Sequence, residues 1–470
     1  MADVDVAFAG TARQAELVRA GEVSPRELVE LYLERIERLD PRLNAFRVVL
    51  AERALAEAEE AEKRSSSGET APLLGVPIAV KDSQDLAGEL TTLGTGVVDR
   101  PAAADCEMVR RLRAAGAIVI GKTNLPELAF AGFTESRAWG VTRNPWNTDR
   151  VPGGSSGGSA AVVAAGLAAG ATASDGAGSI RIPAACCGIF GLKPQRGRIS
   201  LAPDSEHWHG LSVVGCVSRS VLDTALYLDV AAGPTDTDAH RAPPPERPFV
   251  ESAKGPPGKL RIALSTKPLR AVLPPIVEDP VKRAVADTGD VLRSLGHQVG
   301  EADPSFGAMG NHFVTLYFRG IRDEAVTLPH FERLDPQIKG ISRVARLYPD
   351  WGVRRAKRLQ SHYAERVNRL FDDYDVLVTP TISTQPVEVE RWEGKSGLPT
   401  VISMARYYPY TGHWNYLGNP AASVPAGFDE DGMPLSVQLI GRPNDEATLL
   451  SLAAQLEAER PWADHRPPVS

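Results

Sequence analysis

The sequence predicts an α/β protein: a mixed, mostly parallel β-sheet covered by helices on both faces. Three observations carry this. Residues 76–81 (VPIAVK) and 117–121 (AIVIG) are short apolar runs rich in β-branched residues, the signature of buried strands. Between them Met108, Leu112 and Ala115 recur at helical spacing, so strand, helix and strand follow in order. A run of small residues, 160–170, then supplies a helix able to pack unusually close to its neighbours.

The other elements are read along the chain. Ser24-Pro25-Arg26-Glu27 is a capping box with proline at the first helical position. It opens a helix whose apolar face is Leu28, Leu31, Tyr32, Ile36 and Leu39. Residues 45–65, rich in Ala and Glu, are expected to continue helically until SSSGE at 65–69 breaks them. Residues 233–258 contain PPPERP and GPPG and read as a surface linker. Beyond it, 260–264 and 376–379 read as strands, and 265–370 as a mainly helical cover or lid. The expectation is one domain over 1–470, with its chemical core in 70–235.

Composition narrows the function. The 470 residues are 43% hydrophobic and 24% charged, which is ordinary for a globular protein. A net charge of −7 argues against a nucleic-acid surface, and the basic run 354–358 reads as a solvated helix face. The acidic N-terminus does not read as a signal peptide, and the longest apolar run, 160–173, falls short of a bilayer span. A cytoplasmic protein without membrane or nucleic-acid partners is expected, as monomer or homodimer. Four cysteines make no disulfide framework, and adjacent Cys186 and Cys187 read as small buried hydrophobes. The nine histidines show no metal-binding spacing, so no metal or other cofactor is expected.

The chemistry lies in residues 152–194, where two glycine–serine clusters flank the small-residue run. The first is Gly153 to Ser159 (GGSSGGS); the second is Asp175-Gly176-Ala177-Gly178-Ser179, followed by Arg181 and Pro183. A serine preceded by small residues can place a row of backbone N–H groups beside its hydroxyl. Acyl transfer requires that pairing of nucleophile and anion-stabilising pocket. A phosphate cradle is the competing reading of a Gly/Ser-rich loop. Neither G-x-x-x-x-G-K-[ST] nor a G-x-G-x-x-G dinucleotide turn occurs here, so the nucleophile reading leads.

These segments closely resemble the signature of the amidase signature family of serine hydrolases: GGSSGGS, then SDGAGSIRIPA, then GLKP. The resemblance extends to VPIAVKD (76–82), GKTNLPELA (121–129), WGVTRNPWN (139–147), and GNPAASVPAG and GMPLSVQLIG near the C-terminus. It implies an amidase signature fold and hydrolysis of carboxylic amides through a Ser–cis-Ser–Lys relay. Carried over by motif, Ser179 is the nucleophile, Ser155 the bridging serine behind a cis peptide bond from Gly154, and Lys81 the base. A free lysine titrates near 10.4, so Lys81 must be desolvated to act as a base at neutral pH. Its place at the end of an apolar strand suits that.

The resemblance further implies an oxyanion hole of backbone N–H groups from Gly176, Ala177, Gly178 and Ser179. Ala177 stands where the family more often has glycine, which limits φ > 0 there. Asp175 and Arg181 are expected to pair and fix the loop, with Ser156 and Ser174 adding hydrogen bonds. Five aromatics cluster between Tyr407 and Tyr416, and Phe130 and Phe133 follow the GKTNLPE block. With Tyr410 and Trp414 they are the expected substrate pocket, suited to aryl or bulky amides, carbamates and esters. Two alternatives stand beside this small-molecule amidase. One is the ammonia-generating subunit of a glutamine amidotransferase, which commonly shows glutamine where this chain has Ile182. The other is a non-catalytic ligand-binding or scaffold member.

Overall fold

The strands are β1 (Phe46–Val49), β2 (Pro77–Lys81), β3 (Ile118–Thr123), β4 (Glu135–Ser136), β5 (Gly140–Val141), β6 (Gly170–Asp175), β7 (Phe190–Lys193), β8 (Val213–Ser218), β9 (Arg261–Leu264), β10 (Gln298–Glu301), β11 (Val376–Pro380), β12 (Ala421–Phe428) and β13 (Pro434–Gly441). Eleven form one mixed sheet in the order β1-β3-β2-β6-β8-β7-β12-β13-β11-β9-β10, and β4 pairs with β5 apart from it. Here the protein is a computed structural model describing residues 3–269 and 272–470. Parallel pairing occurs in two blocks, β3-β2-β6 and β11-β9-β10. Between them the strands β6-β8-β7-β12-β13-β11 run alternately antiparallel.

The helices expected from periodicity form for the expected reasons. Ser24 accepts from the backbone N–H of Glu27, whose side chain returns to Ser24, and the helix Pro25–Leu43 buries Leu28, Tyr32, Ile36 and Leu39. The small-residue helix is Gly157–Ala164, buried at every position and packed on β6, β2 and β8. It ends earlier than expected because Gly166 turns left-handed at φ 66° and the chain enters β6 at Gly170.

Three segments differ from expectation. Residues 45–65 are not one helix: Phe46–Val49 pairs antiparallel with the edge of β3, and the helix runs over Ala51–Ser66. The 233–258 segment carries a helix, Phe249–Lys254, whose Phe249 is fully buried beneath the Arg198 guanidinium. The 265–370 segment contains β10, which pairs parallel with β9 and closes the sheet's edge. Its helix Asp279–Ser294 packs on β13 and β11 as part of the sheet's cover. The helix Met309–Ala325 belongs to a second apolar cluster, with Trp208, Phe130 and Trp414, away from the main core. The basic run at 354–358 is a solvated face, with only Val353 and Ala356 of that helix buried. Cys186 and Cys187 are buried, and burial pushes both thiols up.

Candidate active site

Lys81 ends β2, a strand buried at all five positions. Its backbone N–H donates to Thr172 Oγ1 at 2.9 Å, tying it to β6. Its Nζ lies 2.8 Å from Ser155 Oγ and 2.9 Å from Ser174 Oγ. The side chain is wholly buried, and this desolvation brings its pKa down to about 7, against the opposing pull of Asp175 and Glu324. The next residue, Asp82, pairs with Lys122 at 2.9 Å and Arg47 at 3.0 Å, which anchors the strand end carrying Lys81.

Ser155 sits where the first cluster presses against neighbouring backbone. The Gly154–Ser155 peptide bond is cis. A Cβ on Gly154 would lie 2.5 Å from the Phe133 carbonyl oxygen, and one on Gly158 2.6 Å from that of Ala45. These contacts require glycine by close approach, and they seat Ser155 and Ser156 fully buried. Ser156 Oγ is 3.3 Å from both the carbonyl and the N–H of Ser174, and its own N–H donates to the Ser179 carbonyl at 3.3 Å. Both glycine–serine clusters therefore meet, as the short helix between them allows.

The second cluster is fixed by a buried ion pair. Arg181 Nε donates to Asp175 Oδ2 at 2.9 Å, with both side chains fully buried. Arg181 also donates to Gln438 Oε1 at 2.6 Å and Asn415 Oδ1 at 2.7 Å. Asn415 returns a bond to the Asp175 carbonyl at 2.6 Å. Burial alone would raise the Asp175 carboxyl, but Arg181, Lys193 and Asn415 outweigh it and hold it at about 2. Gly178 N–H donates to Asp175 Oδ1 at 2.6 Å. That donor is spent on the loop, which removes Gly178 from the expected oxyanion hole. Among the described residues, the N–H groups of Gly176, Ala177 and Ser179 have no acceptor within the protein. The left-handed conformation falls on Gly178, at φ 129°, and not on Ala177. The alanine is therefore accommodated, and its carbonyl accepts from Thr411 Oγ1 at 2.7 Å.

Two cavities, of about 570 and 500 Å³, meet at Ser179. The first is the more polar of the two, with Ser155, Ser174, Gly176, His207 and Glu324 among its walls. The second is apolar, with Phe130, Ala177, Phe313, Tyr317 and Tyr408 among its walls. Of the four expected pocket residues only Phe130 faces a cavity. Phe133 is buried behind it, stacked on Trp392 with centroids 4.8 Å apart. Tyr410 is buried and donates to the Thr266 carbonyl at 2.6 Å, and Trp414 is buried against Phe306 and His413. Sequence reasoning missed Asn415 and Trp208, which carry no motif of their own, and Gln438, whose place in GMPLSVQLIG does not by itself show its contact with Arg181. Among the described residues no cluster of three or more metal-ligating side chains occurs, and no helix is long and apolar enough to cross a membrane.

The amidase family model matches residues 27–450. AmiB2 of Mycobacterium tuberculosis (strain ATCC 25618 / H37Rv) is 49% identical over 471 residues, covering 100% of both chains. A solved 6-aminohexanoate cyclic dimer hydrolase, complexed with substrate, superposes at TM-score 0.89 with 33% identity, covering 98% of this chain and 99% of that one. A bacterial aryl acylamidase of the amidase signature family superposes at TM-score 0.86 with 26% identity, covering 97% of each chain.

Proposed function

The chain belongs to the amidase signature family of amide-hydrolysing enzymes, and from that premise we propose that it cleaves aryl or bulky amides through an acyl-enzyme on Ser179. The observation that carries this is Lys81 Nζ, buried and 2.8 Å from Ser155 Oγ, with its pKa brought down to about 7. A neutral amine there can accept the Ser155 proton as Ser155 takes that of Ser179. Ser179 Oγ then attacks the carbonyl carbon, and the oxyanion meets the unspent N–H groups of Gly176, Ala177 and Ser179. The Lys81 ammonium returns its proton through Ser155 to the amine nitrogen as the C–N bond breaks. Water, deprotonated by the same relay, releases the acid and restores Ser179.

The apolar cavity, and the likeness to an aryl acylamidase and a cyclic-dimer hydrolase, support aryl and bulky amides. Activated esters and aryl carbamates are further substrates of the same relay. The glutamine-amidotransferase reading is disfavoured because Ile182, where glutamine is common, is part of the apolar cavity wall. The scaffold reading is disfavoured because Lys81 and both serine clusters converge. The protein is proposed to act in the cytoplasm as a monomer or homodimer.

A fluorophosphonate should label Ser179, as mass spectrometry would locate, and Ser179→Ala should lose amide hydrolysis. Labelling at another serine, or an active Ser179→Ala variant, would overturn the assignment.

A further inference from the structure

Ser179, Ala129 and Trp208 are shared by the walls of both cavities, and of the three only Trp208 is large. Its indole is held on several sides. Nε1–H donates to Glu324 Oε2 at 2.8 Å, and Tyr317 meets the ring edge-on with centroids 5.5 Å apart. Gly176 and Gly320 leave it no slack: a Cβ on either would lie 2.9 or 2.8 Å from its atoms. The backbone at Trp208 and His209 is left-handed, at φ 49° and 55°, which sets the ring between the cavities.

The proton chemistry says which half of an amide enters which cavity. Ser155 faces the polar cavity alone, and Ala177 the apolar one alone. If Ser155 delivers the departing proton, the amine nitrogen must lie on its side. The acyl chain then extends past Ala177 among Phe130, Phe313 and Tyr408.

Resting on the proposed Ser179 mechanism, we infer that Trp208 is a specificity-determining partition between amine and acyl halves of the substrate, with Glu324 as its positioning residue. The indole limits the size of the amine that fits beside Ser155, and its opposite side supplies apolar wall to the acyl group. Truncating it joins the cavities, admits larger amines and weakens acyl discrimination. Neither half needs a new contact for this; the change comes from removing a wall.

The test is a grid of amides: acetyl, hexanoyl and phenylacetyl anilides, and the methylamide, anilide and naphthylamide of acetic acid. The readout is the ratio of kcat/KM within each series, which cancels any uniform loss of rate. In Trp208→Ala the naphthylamide-to-anilide ratio should rise by roughly tenfold, the scale of a small steric change in a pocket. The phenylacetyl-to-acetyl ratio should fall. Trp208→Phe should move both ratios part of the way. Glu324→Ala, which frees the indole, should move them in the same direction. Glu324→Gln should leave the ratios near wild type, since its amide oxygen still accepts the indole N–H. Should Trp208→Ala fail to fold by thermal unfolding, Trp208→Phe and the Glu324 pair decide. Ratios unmoved in folded, active variants would overturn the partition alone. A wild-type protein inert toward the whole grid would overturn the hydrolase mechanism and the partition with it.

Discussion

Lys81 offers the sharpest test, because its burial converts directly into a pH dependence. Its ammonium falls from an ordinary 10.5 to about 7. At pH 8 a lysine titrating near 7 is about 90% neutral, against about 0.3% at the ordinary value, a gain of ~300-fold in available base, or roughly 3 kcal/mol. The kcat/KM profile of an amide should therefore rise with unit slope to a plateau, with its midpoint near 7. Lys81→Arg keeps the positive charge but cannot give up its proton, so it should lose about 10²–10⁴-fold and the limb with it. The same shift has a folding consequence. Between about pH 7 and 10.5 the unfolded chain holds a proton that the folded chain lacks, so stability rises with pH across that window. The penalty is complete below 7, of order 5 kcal/mol, and Lys81→Met should remove it. His207, in the polar cavity and raised by Glu324 against its own burial, is the competing titrating group. A limb that vanishes in His207→Gln, or one centred above about 9, would refute the reasoning.

Other substitutions separate support from contact. Asp175→Asn should destabilise by about 3–5 kcal/mol in denaturant titration, because it strands the buried Arg181 guanidinium. Since the Asp175 carboxyl is depressed to about 2, its contribution holds above about pH 4 and fades as pH falls toward 2; a loss appearing only on the alkaline side would contradict it. Gly178→Ala should cost about 1–3 kcal/mol and cut kcat, because φ is 129° and a Cβ would lie 2.7 Å from Ile182 Cδ1. Ala177→Gly, by contrast, should change stability by less than about 1 kcal/mol in the same titration. Trp414→Ala should lose about 3–5 kcal/mol of stability while aryl-over-alkyl selectivity stays put, and Phe313→Ala should reduce that selectivity. The reverse outcome would return Trp414 to the pocket wall.

What was legible in the sequence depended on how locally each feature is written. Lys81, Ser155 and Ser179 sit in unbroken motifs, and the buried strand ahead of Lys81 can be read from five consecutive apolar positions. Asp175 and Arg181 are six residues apart and paired as expected. The pocket was not legible in this way. Tyr407 and Tyr410 turn inward to the protein while Tyr408, between them, lines the apolar cavity. Aromatic density in one loop says nothing about which ring faces which side. Strand β10 failed for another reason. Of its residues, Gln298 to Glu301, only Val299 is apolar and none is buried, and only parallel pairing with β9 makes them a strand.

The loop proposed to hold the oxyanion shows how a motif can hide a division of labour. Gly176, Ala177, Gly178 and Ser179 look equivalent as a row of small residues with free N–H groups. Asp175 distinguishes them: its Oδ1 takes the Gly178 N–H while its Oδ2 takes that of Ile180 and pairs with Arg181. The spent donor makes the loop rigid, and rigidity is what the remaining donors need. N–H groups stabilise a developing oxyanion only if they already point at it and need no rearrangement during the reaction. The left-handed turn at Gly178 then sets Ser179 directly after the anchored residue. Asn415 and Gln438, more than 230 positions away in sequence, close the far side of the ion pair through Arg181. The geometry of Ser179, the proposed nucleophile, is therefore set jointly by a local glycine and by side chains delivered from the C-terminal third of the chain.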